Sequence, residues 1–355
     1  MGARQPINIL AIAVGGNVTQ GILKALARAS VPHRVVGADV SALQMGLFTV
    51  DRGYVGPMAN APDFVPWLKD VCKTEAIDVV LTGCEPVLRV LAPLRAELES
   101  ATGAVCLVNS TEVMDICEDK LTTSRWLASQ GFNVAKSADA AESEAVAALR
   151  EACGYPLVAK PRIGGGAQGF LLLQSDDDLA FACRKPGYLI QEHIGDDDSE
   201  YTVGIFCDAA GEARGTIAMW RALLAGTTYR AVVGAFPEVR QEAERIVAAL
   251  RPIGPCNVQL RMTDRGPVCF EINPRFSGTT PLRAHFGFNE AEAALRHFVL
   301  GEDVPELPDV TEGVALRYWN EAYVSPEATA ELERTGRLAA PQDHPLEIET
   351  YGVRH

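Results

Sequence analysis

The chain has 355 residues, enough for two or three domains of about 100–150 residues each. Its 48% hydrophobic and 22% charged content is that of a globular protein, and no apolar run approaches the roughly 18–20 residues that span a bilayer. A formal charge of −14 without any local cluster of Lys and Arg excludes a polyanionic nucleic acid as partner, so any phosphate held must be small and neutralised locally.

The run "INILAIAV" (7–14) ends in Gly15-Gly16 with no small-residue cleavage site, which predicts a first strand rather than a signal peptide. Pro6 stands where a myristoylation signal needs Ser or Thr, so a cytoplasmic protein is expected. Nine cysteines, an odd number with no Cys-x-x-Cys pair, predict reduced and mostly buried thiols rather than disulfides or a zinc site.

Helical spacing follows at 18–30, then strands at 33–40 and 76–83, an order that predicts a parallel sheet covered by helices. Gly15-Gly16 with Asp39 at the end of the second strand admits a dinucleotide site, as in a nicotinamide-dependent oxidoreductase. The spacing is not Gly-x-Gly-x-x-Gly, however, and the same glycines suit any tight strand-to-helix turn. From Ser110 the pattern turns helical, with "LTTSRWLASQG" stopping at Gly131.

"YPLVAKPRIGGGAQGFLLL" (155–173) reads as strand, glycine loop, strand. Lys160 ends the first strand, and Gly164, Gly165 and Gly166 offer backbone N–H groups that an anion can approach without obstruction. The lysine precedes the glycines and no helix follows, so this is not a P-loop; it is either a lid over phosphates or a bare flexible turn. Two more strands, joined by an acidic turn, occupy "GYLIQEHIGDDDSEYTVGIFC" (187–207).

"NVQLRMTDRGPVCFEINPRFSGTT" (257–280) places several polar groups in one short hairpin. A three-residue turn at Asp264-Arg265-Gly266 sets Gln259 opposite Glu271 and Asn257 opposite Asn273, all four on one face, with Val258, Leu260, Phe270 and Ile272 on the other. Such an oxygen-rich row suits a hard divalent cation, and equally a solvated polar hairpin. A helix at 289–301, a Pro-containing link at 304–308 and a strand-helix-strand piece complete the chain.

Lys120, Lys160, the glycine loop, and Gln259 with "EINPRFSG", in that order, resemble the ATP-grasp ligases, whose members include biotin carboxylase, carbamoyl phosphate synthetase and several purine-pathway enzymes. The likeness spans about residues 5–300 and implies an ATP-grasp fold, of mixed α/β and α+β class, behind a Rossmann-like domain. The expected domains are 1–112 (Rossmann-like), 113–190 (small subdomain with glycine lid), 191–303 (large subdomain with metal site) and 304–355 (carboxyl-terminal extension). By resemblance, Glu271 and Asn273 bind magnesium, or manganese in its place, with Gln259 beside them in the metal set. Lys120, Lys160 and the loop through Gln168 contact ATP phosphates; Glu192, His193 and Ile194 hold adenine; Glu200 takes the ribose hydroxyls; Arg275 is the catalytic cation at the γ-phosphate or acyl phosphate. The two lysines, the arginine and about two metal ions would supply the positive field that four phosphate charges need in an acidic protein.

Two positions depart from relatives: Gln168 stands where many carry an arginine in the loop, and Gly278 where carbamoyl phosphate synthetases carry a second arginine. A duplicated half and an amidotransferase segment are also missing, so carbamoyl phosphate synthesis is not expected. The resemblance implies instead a carboxylate–amine ligase working through an acyl phosphate on small-molecule substrates, as a homodimer with neither nucleic acid nor membrane as partner. A second carboxylate could be clamped by Arg221, Arg230, Arg283 or Arg317, each of which equally suits a surface ion pair. A non-catalytic nucleotide sensor would keep the same pocket but has no use for the whole set of metal ligands with Arg275.

Overall fold

The computed structural model describes residues 5–165 and 168–350. The chain forms two compact units, each assembled from separated segments: Met1–Thr111, Arg275–Leu307 and Tyr318–His355 make the first, Glu112–Pro274 and Pro308–Arg317 the second.

The first unit opens with β1 (Ile7–Ile12), β2 (His33–Asp39), β3 (Arg52–Val55), β4 (Val79–Thr82) and β5 (Val105–Cys106), ordered β3-β2-β1-β4-β5 and all parallel. Continuous apolar runs serve as strands here because helices cover the sheet; Ile9, Leu10 and Ala11 are wholly buried. The helix Asn17–Leu26 turns Ile22, Ala25 and Leu26 inward, the spacing of one helical face. At the turn before it, Asp39 accepts from the Gly15 and Val40 backbone N–H groups, both at 2.8 Å.

The second unit holds two sheets. β6 (Ser137–Asp139), β7 (Leu157–Pro161), β8 (Leu171–Leu173) and β9 (Tyr188–Glu192) form a small antiparallel one, ordered β6-β9-β7-β8, packed on the helices Ser143–Cys153 and Asp176–Cys183. β10 (Glu200–Cys207), β11 (Ala213–Leu224), β12 (Thr227–Gly234), β13 (Gly254–Thr263), β14 (Gly266–Asn273) and β15 (Glu312–Leu316) form the larger, ordered β14-β13-β10-β11-β12-β15. One face of this sheet, through Val203, Ile205, Val258 and Leu260, packs against the amphipathic helix Pro237–Leu250. Alternation then commits the opposite face to the polar residues.

Back in the first unit, β16 (Glu321–Val324) pairs with β18 (Leu346–Glu349), and β17 (Arg337–Leu338) joins β3 antiparallel. The expected contiguous domains therefore need correction at two places. Arg275–Leu307 joins the first unit, where its helices Thr280–His285 and Glu290–Ala294 pack on Asn17–Leu26, and Pro308–Arg317 joins the second, where β15 pairs with β12. The single helix expected over 289–301 ends at Ala294 and continues as a π-helical turn, Leu295–Val299.

Candidate active site

The hairpin of β13 and β14 pairs as expected at its far end, with Asn257 opposite Asn273, Val258 opposite Ile272 and Gln259 opposite Glu271. Beyond that a bulge between Gln259 and Leu260 shifts the register, so that Leu260 meets Cys269 and Thr263 meets Gly266. Two expectations change in consequence. The turn has two residues, Asp264 and Arg265, between the last pair, and Phe270 leaves the core face to line a cavity, while Cys269 takes its place in the core.

That cavity, of about 420 Å³, lies between the small and large sheets of the second unit. It is the size of a small-molecule site. Its walls include most of the expected nucleotide residues: Lys120, Lys160, Gly164, Gly165, Gln168, Glu192, His193, Ile194 and Glu200. Gly166 falls outside the described residues. Gln259, Glu271 and Arg221 close the far side.

Each group expected to meet phosphate has a local cause for its position. Lys120 begins the helix Lys120–Ser129, whose Asp119 cap accepts from the Leu121 and Thr122 N–H groups at 2.9 and 3.2 Å. Arg162 binds the same carboxylate at 2.9 Å, and the Lys120 ammonium donates to the Gly164 carbonyl, tying helix to glycine loop. Lys160 sits at the end of β7 with its ammonium 5.7 Å from the centre of the Phe270 ring. Burial pushes its pKa down to about 8, against the pull of Glu271, and neighbouring Lys120 pushes the same way as burial. A Cβ added at Gly165 would meet nothing within 4 Å, so the loop backbone stands open. Four cationic side chains, Lys120, Lys160, Arg221 and Arg261, face three carboxylates, Glu192, Glu200 and Glu271. In a chain of charge −14 this is a local positive excess.

Several expected roles meet different surroundings. Glu200 is buried, and both its oxygens are taken by guanidinium groups: Oε1 by Arg221 at 2.7 and 3.0 Å, Oε2 by Arg261 at 3.0 and 3.2 Å. Its expected ribose role requires these bonds to be exchanged. The Glu192 side chain holds Arg265 at 2.9 Å and the Lys136 N–H at 3.1 Å, so it is already engaged away from its expected adenine role. Arg221, expected as a substrate clamp, is buried in this network instead. Arg283 is likewise enclosed, 2.8 Å from Glu290 with both side chains almost fully buried, so it too is structural rather than a substrate group. Arg230 lies exposed over the Tyr229 ring, and Arg317 is half-buried with its pKa lowered by burial; neither lines the cavity. Arg275 belongs to the first unit, where it pairs with Glu85 at 2.5 Å and donates to the Phe276 carbonyl at 2.8 Å.

Arg261 and Phe270 are among the lining residues that escaped the sequence reading. Arg261 was within reach of it, because strand alternation puts residue 261 on the same face as Gln259. Phe270 was not, because only the bulge turns it inward.

A divalent cation fits the remaining donors. The Gln259 and Asn273 amide groups donate to Glu271 Oε1 at 3.4 and 2.9 Å, which leaves the second carboxylate oxygen and the Asn273 amide oxygen as hard ligands. No group of three His, Cys, Asp or Glu suited to a metal occurs among the described residues, so an ion here needs phosphate oxygens and water to complete its shell, the habit of magnesium.

The rival reading at the amino-terminal turn loses its main group. Asp39, which would accept from a ribose, is engaged in closing the turn, and a Cβ at Gly15 would lie 2.0 Å from Gln44 Oε1. These glycines serve packing. A Cβ at Gly278 would come 2.7 Å from Asn17 Nδ2, so a side chain there requires the Asn17 amide to move.

Several known proteins are similar to this chain. Residues 7–106 match the family described as PylC-like, N-terminal domain, and residues 185–322 the family described as ATP-grasp in the biosynthetic pathway with Ter operon. The carbamoyl phosphate synthase large chain of Halobacterium salinarum is 26% identical over 322 residues, covering 83% of this chain but only 30% of that protein. Among solved structures, N5-carboxyaminoimidazole synthetase from Staphylococcus aureus complexed with ADP superposes with a TM-score of 0.69 at 16% identity, over 88% of this chain and 81% of that one. The biotin carboxylase domain of Hydrogenobacter thermophilus 2-oxoglutarate carboxylase, in complex with MgADP and bicarbonate, gives 0.67 at 14% identity, over 88% and 74%. The chain has the ATP-grasp fold, with residues 7–106 similar to a PylC-like amino-terminal domain and residues 185–322 similar to an ATP-grasp family.

Proposed function

We propose that this chain is an ATP-dependent ligase that joins a carboxylate to an amine. A carboxylate oxygen attacks the γ-phosphorus of ATP, ADP leaves, and the acyl phosphate forms; the amine then attacks the acyl carbon, phosphate departs, and the nitrogen gives up a proton to leave an amide. The observation that carries this reading is the cavity in which Lys120, Lys160 and the open glycine backbone face Glu271. One set of groups suits phosphate oxygens, and the other suits the cation that accompanies them.

In this reading the apolar end, with Val158, Ile194 and Phe270, takes the adenine, whose edge is met by backbone groups near His193. Lys120 and Lys160 neutralise the phosphates as the γ-phosphoryl group moves. Magnesium, or manganese in its place, held by Glu271 and Asn273 with phosphate oxygens, would supply further charge neutralisation. No covalent nucleophile is required, and burial pushes the thiols of Cys72, Cys106 and Cys269 up to about 12, which removes them as thiolates at neutral pH.

The resemblance to structures holding ADP and MgADP supports the nucleotide and metal assignments. The acyl donor and the amine are small molecules recognised outside the shared core, with Arg230 and Arg317 as the remaining cationic candidates. A homodimer in the cytoplasm completes the proposal; nine free cysteines suit a reducing compartment, and no described helix is long and apolar enough to cross a membrane.

Hydroxylamine trapping with a panel of amino acids and small acids tests it. One acid should yield a hydroxamate together with ADP. A panel in which no acid provokes ADP release would remove the ligase reading.

A further inference from the structure

Gln259 lies between two groups of fixed chemical character. The Arg221 guanidinium, which only donates, is 2.7 Å from its Oε1, and the Glu271 carboxylate, an acceptor when ionised, is 3.4 Å from its Nε2. Turning the amide over would set NH2 against guanidinium and oxygen against carboxylate, so the neighbours themselves dictate its orientation.

Arg221 is not free to swing aside. Its Nε and Nη2 both bind Glu200 Oε1, at 3.0 and 2.7 Å, while Arg261 holds the other oxygen of that carboxylate. Arg221 is 8% exposed and Glu200 6%. Breaking such an enclosed pair by withdrawing one partner would leave a buried charge uncompensated. A divalent ion placed on Gln259 Oε1 would compete for an oxygen already engaged and would stand beside a permanent positive charge.

We propose that this chain seats one divalent ion, on Glu271 and Asn273, and that Arg221, locked by Glu200, takes the position at Gln259 that a second ion would otherwise occupy. This rests on the nucleotide-site reading above. Arg221 is thus a positioning residue: it orients the Gln259 amide and contributes one fixed charge to the phosphate field whatever the metal concentration. Gln259 in turn steadies Glu271 as an amide donor rather than as a ligand.

Equilibrium dialysis of the full chain with Mn2+ and a non-hydrolysable ATP analogue tests this by counting manganese and nucleotide retained together. We expect one manganese per nucleotide at saturation. Gln259→Ala should change the manganese affinity of that complex by no more than about twofold, whereas Glu271→Gln should lower it by about 10-fold or more. Two ions per nucleotide in the unaltered chain, or a loss in Gln259→Ala equal to that in Glu271→Gln, overturns the inference while leaving the nucleotide site intact. Failure to retain nucleotide under any condition overturns both. The count on the unaltered chain decides the matter even where a variant fails to fold.

Discussion

Two glycine turns in this chain follow strands and look alike on paper, yet they do opposite work. At Gly15-Gly16 the missing side chain makes room for the protein's own groups: Asp39 bonds the Gly15 N–H, and Gln44 fills the space a Cβ would need. At Gly164-Gly165 the same absence leaves open backbone facing a cavity with two lysines on its wall. The first turn is satisfied from within. A similar contrast separates Arg283, sealed against Glu290, from Lys160, which sits at the cavity with no carboxylate paired to it among the described residues and a pKa pushed down to about 8. Internal satisfaction marks structure, and a cation kept uncomfortable by burial marks a place for a ligand's charge.

The largest effect should come from breaking the sealed pair. Arg283→Met strands Glu290 in an apolar surround and should cost about 3–5 kcal/mol of stability, read as a fall in denaturation midpoint. A loss under about 1 kcal/mol would mean the pair is not the closed unit described here.

Next in size, Arg275→Ala should slow turnover by about 100- to 1000-fold with the fold preserved. Turnover within a few fold of the unaltered chain would remove Arg275 from the chemistry.

Lys160→Met should act in two directions at once. Loss of the phosphate partner should weaken binding of magnesium–ATP by about 10- to 100-fold. The same change should raise the melting temperature of the nucleotide-free chain at pH 7 by roughly 2–4 °C, because the folded state no longer carries a desolvated ammonium. The sign follows from the depressed value. Between about 8 and the ordinary 10.5 the unfolded chain binds more protons at Lys160, so this residue's penalty is full below about 8 and disappears as pH rises toward 10.5. Nucleotide affinity should move the other way, falling as pH rises through about 8. A melting temperature lowered by the substitution would show that Lys160 is a stabilising group instead.

The smallest effects separate the two turns directly. Gly15→Ala should destabilise by about 1–2 kcal/mol through overpacking against Gln44, and Gly165→Ala should leave stability within about 0.5 kcal/mol while weakening nucleotide binding several-fold. Equal melting shifts for the two would dissolve the distinction.

Much of this was legible from residue order because strands impose a period of two. Pairing across a short turn was enough to place Gln259 opposite Glu271 and Asn257 opposite Asn273 on one face, and the buried runs near the amino terminus were enough to predict a parallel sheet. The same rule places Arg261 on that face. What a period cannot convey is an interruption of it, so the bulge that carries Phe270 from core to cavity stayed hidden.

The sequence by itself determined the kinds of chemistry available: a lysine beside a glycine loop, a hairpin rich in acid and amide groups, and too little positive charge for anything but a small phosphate. Only the tertiary structure decided which charges are already spoken for. Arg221 and Arg283 are the same residue type, each once a candidate for substrate, and in each case the partner that claims it, Glu200 or Glu290, is chosen by strand pairing or helix packing. Electrostatic energy depends on distance and solvent exposure, and neither is a property of position along a chain.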